Sequence, residues 1–157
     1  MTSATDRVRE ALVALGVPGE IIEFPQGTRT AHDAARAIGT TLGQIVKSLV
    51  FVADGRPVLV LASGRNRVDT TKLARAIGVA RVERADADQV RTTTGFAIGG
   101  VPPVGHATPM ETFVDEDLLA YDVVYAAAGA PTAIFPIAPA DLVRVSGGRT
   151  ADLAQPQ

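Results

Sequence analysis

Lys47 stands in the run Ile45-Val46-Lys47-Ser48-Leu49-Val50-Phe51-Val52-Ala53, where most neighbours are apolar. If the run is a strand, Ile45, Lys47, Leu49, Phe51 and Ala53 share one face, and Val46, Ser48, Val50 and Val52 share the other. Both faces are mostly apolar, which marks a central strand covered on both sides. A lysine there needs a partner, a wet cavity or a pocket mouth, because an unpaired buried ammonium is costly. Thirteen of the fifteen basic residues are arginine and only Lys47 and Lys72 are lysine, so a compact ammonium stands where the chain otherwise uses a guanidinium. Three roles stay open on residue chemistry alone. The side chain snorkels its head to water, it holds a substrate, or it forms a Schiff base, for which no phosphate-cradling motif is present.

The second candidate is the loop Gly95-Phe96-Ala97-Ile98-Gly99-Gly100-Val101-Pro102-Pro103-Val104-Gly105-His106. Glycine permits close backbone approach, and the paired prolines stiffen the turn after it. A stiff loop with exposed N–H groups suits recognition of a carbonyl or oxyanion, although a plain connector has the same composition. It is not a dinucleotide fingerprint, because G-x-G-x-x-G after a strand is missing. His106 has the chemistry of a general base but no Ser or Asp at a recognisable spacing, so a structural hydrogen bond is the competing role. His32 falls in the first turn of a helix, which suits a surface position. The chain has no cysteine, and its two histidines have no ligand-like spacing. Neither a catalytic metal nor a cofactor is expected. No G-x-S-x-G elbow or triad is visible. Ser63 to Asp69, with Lys72 and Arg75, is the one dense basic stretch, either a solvated face or a set of phosphate contacts.

Periodicity and punctuation predict the elements that position these residues. Helices are expected over Asp6–Leu15, ended by Gly16 and Pro18, and over Ala31–Ile38, capped by Thr30 with Asp33 and ended by Gly39. A further helix is expected over Asp69–Ile77, with one or two helical turns over Asp86–Arg91. A turn at Glu116–Ala120 and a last helix over Pro139–Val143 complete the set. Strands are expected at Glu20–Phe24 (stopped by Pro25), Ile45–Ala53, Pro57–Ala62, Val79–Val82, Thr112–Val114, Val123–Ala127 and Thr132–Ile137. Asp54-Gly55 is a preferred two-residue hairpin pair, and Gly129-Ala130 marks a second hairpin. Thr92–His106 is mainly loop. The intermixed order implies a mixed α/β fold with helices around a mixed or antiparallel sheet.

Length, at 157 residues, fits one domain over 1–157 with a core over about 6–147 and a disordered tail after Gly147. A hydrophobic content of 46% supplies a core and argues against disorder. The net charge of −2 gives no global positive field, which excludes a DNA-coating protein but leaves room for a grip on a nucleic-acid end. Met1 to Asp6 lacks the pattern of a secretory signal, and the apolar runs are too short to span a bilayer. A cytoplasmic protein without membrane or DNA partners is expected.

Taken in order, these segments resemble the YbaK and prolyl-tRNA synthetase editing-domain family of aminoacyl-tRNA deacylases. The matching residues are Lys47 in Ile-Val-Lys-Ser-Leu-Val-Phe and the Gly-Arg-Asn-Arg-Val-Asp-x-x-Lys-Leu-Ala segment from Gly64 to Ala74. The G-x-x-x-P loop from Gly99 to Pro103, Thr-Ala-x-x-Ala-Ala from Thr30, and the closing Pro-Ala-Asp-Leu-Val also fit. The resemblance runs from about Val8 to Gly147.

It implies a mixed α/β fold around a curved, barrel-like sheet, and hydrolysis of the ester joining an amino acid to the tRNA 3′-terminal ribose. It also implies catalytic positions at Lys47, Gly99, Gly100 and Pro103, with Lys47 holding the terminal nucleotide or aminoacyl end. Thr30, Ser63, Arg65, Pro102, His106, Gly129 and Pro131 would contact substrate. The family uses water or the substrate's own groups as nucleophile, which suits a chain without a triad. Some prolyl-tRNA synthetase editing domains carry a histidine in the last hairpin; here Ala128 to Phe135 has none, a pattern closer to free-standing members. The expected activity is trans-editing of small amino acids (Ala, Ser, Thr or 2-aminobutyrate), on tRNA-Pro. The partners would be the tRNA acceptor end and a synthetase. A non-catalytic module that binds aminoacyl-tRNA or a synthetase is the alternative.

Overall fold

The structure is a computed structural model that describes residues 3–24 and 30–156. The strand stop assigned to Pro25 and the first two residues of the chain lie outside the described residues. Among the described residues five α-helices and eight strands follow in the order α1 (Ala4–Ala14), β1 (Ile22–Glu23), α2 (Ala31–Ile38), β2 (Val46–Ala53), β3 (Arg56–Ser63) and α3 (Thr70–Ile77). The chain continues with β4 (Glu83–Arg84), α4 (Ala87–Thr94), β5 (Glu111–Asp115), β6 (Val124–Ala127), β7 (Ala133–Ile137), α5 (Pro139–Ser146) and β8 (Arg149–Ala151). Short 3-10 turns at Leu42–Gln44 and Glu116–Ala120 lead into β2 and out of β5.

β2 and β3 form an eight-residue antiparallel ladder in which Lys47 lies opposite Ala62. Its register is set by Asp54 (φ 50°) and Gly55 (φ 75°), since a two-residue hairpin loop of this twist needs positive φ at both positions. The larger sheet has the order β4-β2-β3-β5-β8, with β3–β5 and β5–β8 parallel. The smaller sheet, β1-β7-β6, is antiparallel. The sheet pairing is thus mixed, as expected. The strands divide between two hydrogen-bonded sheets linked by an isolated bridge from Ile45 to Tyr125.

The alternation along β2 is that of a central strand with a core on each side. Val46 and Val50 enter the core cluster shared with α1, β6 and β7, whereas Phe51 and Ala53 enter a second cluster with Leu73 of α3. Thr30 and Asp33 form a reciprocal capping box on α2, and Gly39 ends it in the left-handed region.

Three expectations need correction. The strand placed at Val79–Val82 forms instead at Glu83–Arg84, where the backbone pairs with Phe51 and Val52. The helix expected to stop at Arg91 continues to Thr94, capped by Asp86. The tail after Gly147 is structured over its described residues: β8 adds to β5 and Leu153 is buried in the second cluster. Nothing in the local sequence announces this pairing, because it depends on the exposed edge of β5. Among the described residues no helix is long and apolar enough to cross a membrane.

Candidate active site

A cleft of about 250 Å³ opens between the two sheets. One wall is the start of α2 (Thr30, Ala31, Ala34) and the hairpin of β6 and β7 (Ala127, Pro131, Ile134). The other is β2 from Val46 to Val50, Arg84 of β4 with Ala85, and Val90 of α4. Ile98, Gly99 and Val101 of the glycine-proline loop complete it. Among the described residues the lining is mostly aliphatic and holds neither imidazole nor carboxylate.

Lys47 is half-buried, and its Nζ donates to the carbonyl oxygen of Asn66 at 2.5 Å. Burial pushes its pKa below the usual lysine value, the nearby Arg67 and Arg84 push in the same direction, and Asp115 opposes them. An ammonium has three N–H donors, so one contact to Asn66 leaves two. The snorkelling role is therefore incomplete as a description: the head is anchored at the wall of a cleft.

The loop meets the β6–β7 hairpin across a short gap. Gly99 has φ 88°, and a Cβ there would touch the Pro131 ring at 3.3 Å. The Gly100 N–H donates to Ala97 O, and its carbonyl accepts from Gly129 N at 2.9 Å. A Cβ on Gly100 would lie 2.7 Å from Ala130 Cα, so only glycine allows this approach. Of the two paired glycines, Gly100 has thus committed its N–H to the turn, whereas Gly99 N–H has no partner among the described residues. Pro102 and Pro103 are buried behind the rim, where the Pro102 carbonyl accepts from His106 Nε2 at 2.6 Å. Only an N–H can serve a carbonyl, so Nε2 carries the proton. Burial lowers the His106 pKa, partly offset by that bond.

The cleft therefore gathers Lys47, Gly99, Thr30 and Pro131 from the expected site residues. Gly100 and Gly129 stitch its rim without lining it, and Pro102, Pro103 and His106 brace the loop from behind. Thr30 uses its hydroxyl to cap α2. Ser63 is fully buried, donates to Gly43 O and receives no place in the lining. Arg65 is exposed, with its stem against Gly43, also off the cleft. Lys72, part of the basic stretch, is bound to Asp152 and to Ala154 O. Three residues at or behind the site were not singled out from the sequence: Arg84, Ser48 (whose buried hydroxyl has no partner among the described residues) and Asp115. An arginine in a two-residue strand and a serine beside Lys47 carry no local signal. Among the described residues no group of three His, Asp or Glu is placed to hold a metal.

The fold is a mixed α/β domain with a small aliphatic cleft, one anchored ammonium and a glycine-proline rim. Residues 25–145 match the aminoacyl-tRNA editing domain family, and the chain belongs to it. The crystal structure of a candidate trans-editing enzyme for prolyl tRNA synthetase is 46% identical, with a TM-score of 0.94 and 99% of each chain covered. EbsC of Enterococcus faecalis, named as a candidate Cys-tRNA(Pro)/Cys-tRNA(Cys) deacylase, is 29% identical over 79% of this chain and 76% of its own. The proline–tRNA ligase of Citrifermentans bemidjiense is 37% identical over 64% of this chain, which corresponds to 18% of the ligase.

Proposed function

We propose that the chain is a trans-editing deacylase that hydrolyses the ester between a small, wrongly attached amino acid and the 3′-terminal ribose of tRNA, with tRNA-Pro as the carrier. The observation that carries this reading is the placement of Lys47 and Gly99 in the lining of one small cleft. At about 250 Å³ the cleft is smaller than the roughly 300–1,000 Å³ that encloses a drug-sized ligand. Its mostly aliphatic lining has room for a small side chain such as that of Ala, Ser, Thr or 2-aminobutyrate. Such editing is needed because a hydrophobic pocket separates near-isosteres by only about 1–3 kcal/mol per methylene.

In the reaction, water adds to the ester carbonyl carbon and the carbonyl electrons move onto oxygen. Of the donors in the lining, the Gly99 N–H and the Lys47 ammonium serve that oxyanion. Collapse breaks the bond to the ribose oxygen, which takes up a proton and leaves as the free hydroxyl. Because the described lining holds no imidazole or carboxylate, the proton of the attacking water passes to the substrate's own amine, or is relayed through the neighbouring ribose hydroxyl to the leaving ribose oxygen. Gly100, Pro102 and Pro103 hold the rim, and Pro131 with Ile134 closes the side-chain end. Acting on tRNA, the protein works in the cytoplasm beside a synthetase.

Incubation with a panel of mischarged tRNAs tests the proposal. Release of one or more small amino acids from tRNA-Pro is expected. Saturable tRNA binding with no release from any member would assign the domain to binding instead.

A further inference from the structure

Asp115, at the end of β5, is 1% exposed and does not line the cleft, yet among the described residues it is the carboxylate that acts on Lys47. Its Oδ2 accepts from Ser63 N at 3.0 Å and from Asn66 Nδ2 at 2.9 Å, and its Oδ1 accepts from Asp117 N at 3.0 Å. Asn66, itself 3% exposed, also donates from Nδ2 to Asp117 Oδ2 at 2.7 Å. Its backbone N–H closes the turn onto Ser63 O, and Ser63 Oγ ties the same turn to Gly43 O. The carboxylate therefore clamps residues 63–66 to the end of β5. The backbone carbonyl presented by that turn is the one that receives the Lys47 ammonium.

We propose that Asp115, acting through Asn66, is a positioning residue that fixes the Lys47 ammonium at the wall of the cleft. The carbonyl takes one ammonium proton and aims the other two, so a substrate oxygen meets donors that are already oriented. A buried carboxylate with both oxygens engaged supports such a network, because each member loses its partners if one is removed. The charged groups facing Lys47 are Arg67 from the turn after β3, Arg84 from β4 and Asp115 from β5, while Asp117 reaches only the Asn66 amide. Asp115 is thus both the electrostatic counterweight to two guanidinium groups and the mechanical anchor of the carbonyl.

The chain has only two lysines, so ¹³C-lysine labelling gives two Cε signals, and Lys72→Arg assigns them. In Asp115→Asn, which keeps the shape but loses the charge, the Lys47 titration midpoint is expected to fall by about half a pH unit or more. In Asn66→Ala, which frees the turn, the Lys47 Cε order is expected to drop to that of a surface lysine, with kcat/KM down at least about tenfold. A wild-type midpoint in the first variant or wild-type Cε order in the second, in folded protein, overturns the proposal. If Asp115→Asn fails to fold, the Asn66→Ala measurement decides. The kinetic arm rests on the deacylase reading, but the NMR arm does not. Absence of turnover in the wild type would sink that reading while the Lys47 signals still test the positioning.

Discussion

Lys47 occupies a place where a methionine of similar length would fill the same space with no charge to desolvate. Burial, Arg67 and Arg84 all lower its pKa in the folded protein, while the unfolded chain keeps the ordinary lysine value of 10.5. Between the depressed folded value and 10.5 the unfolded chain binds more protons than the folded one, so this group makes stability rise with pH across that window. Below the window both states are protonated and the folded protein bears the full cost of the charge. Lys47→Met should therefore melt at pH 7 no lower than wild type, and the advantage should shrink as the pH rises through the window. Its deacylation should fall by about 100-fold or more, the scale of losing an oxyanion donor. Melts at a series of pH values from about neutral up to 10.5, the ordinary lysine value, beside single-turnover deacylation check both; near-wild-type turnover would remove Lys47 from the reaction. Lys47 was legible because two-residue alternation exposes one charged position on an otherwise apolar strand. Asp115 was not. It stands in Asp115-Glu116-Asp117, which looks like a solvated acidic run, and only the tertiary fold buries its first member to 1%.

At the scale of elements, the cleft depends on the glycine-proline loop lying against the β6–β7 hairpin. A methyl on Gly100 would fall 2.7 Å from Ala130 Cα and 2.8 Å from Ala130 N, and backbone cannot yield as a flexible side chain would. Gly100→Ala must therefore push the loop off the hairpin and break the 2.9 Å bond from Gly129 N. A loss of about 1–3 kcal/mol is expected from such overpacking. Gly99 would move with the loop, so kcat/KM should fall about tenfold or more, as misplaced groups in active sites commonly cause. Urea denaturation and deacylation assays on the same preparation measure the two effects; an unaltered protein would show that the close approach is not required. The helices, the β2–β3 hairpin and the loop were readable because caps, Asp54-Gly55 and paired glycines and prolines are local signals. β4 was misplaced because Val79–Val82 carries the more strand-like residues. The pairing is won instead by Glu83 and Arg84, whose backbone reaches the edge of β2 and whose Arg84 guanidinium lies 5.7 Å from the Phe51 ring centre.

At the scale of the whole molecule, the two sheets divide the work. The smaller sheet and the loop shape one side of the cleft, and the larger sheet presents Lys47 from a strand covered on both faces. The C-terminal segment belongs to that larger sheet, although its short polar sequence contains no strand-like period. β8 covers the parallel edge of β5, and the chain then bonds Leu153 O to Asp69 N and Gln155 N to Arg67 O. Those bonds hold the far end of the turn that starts at Ser63, so the tail braces the same segment that carries Asn66. Leu153 is 1% exposed and packs with Ala62, Leu73 and Phe113. Leu153→Ala should cost about 2–5 kcal/mol, the range for a buried leucine truncated to alanine. Removing residues 149–157 should cost more, because it also exposes the β5 edge and unties Lys72 from Asp152. Deacylation should weaken in both proteins even at temperatures where they remain folded, since the 63–69 segment loses its outer support. Chemical denaturation and activity measured well below each melting temperature separate these effects. Wild-type stability after the truncation would show that β8 is an ornament of the sheet, whereas a folded, less active protein would tie the tail to the cleft.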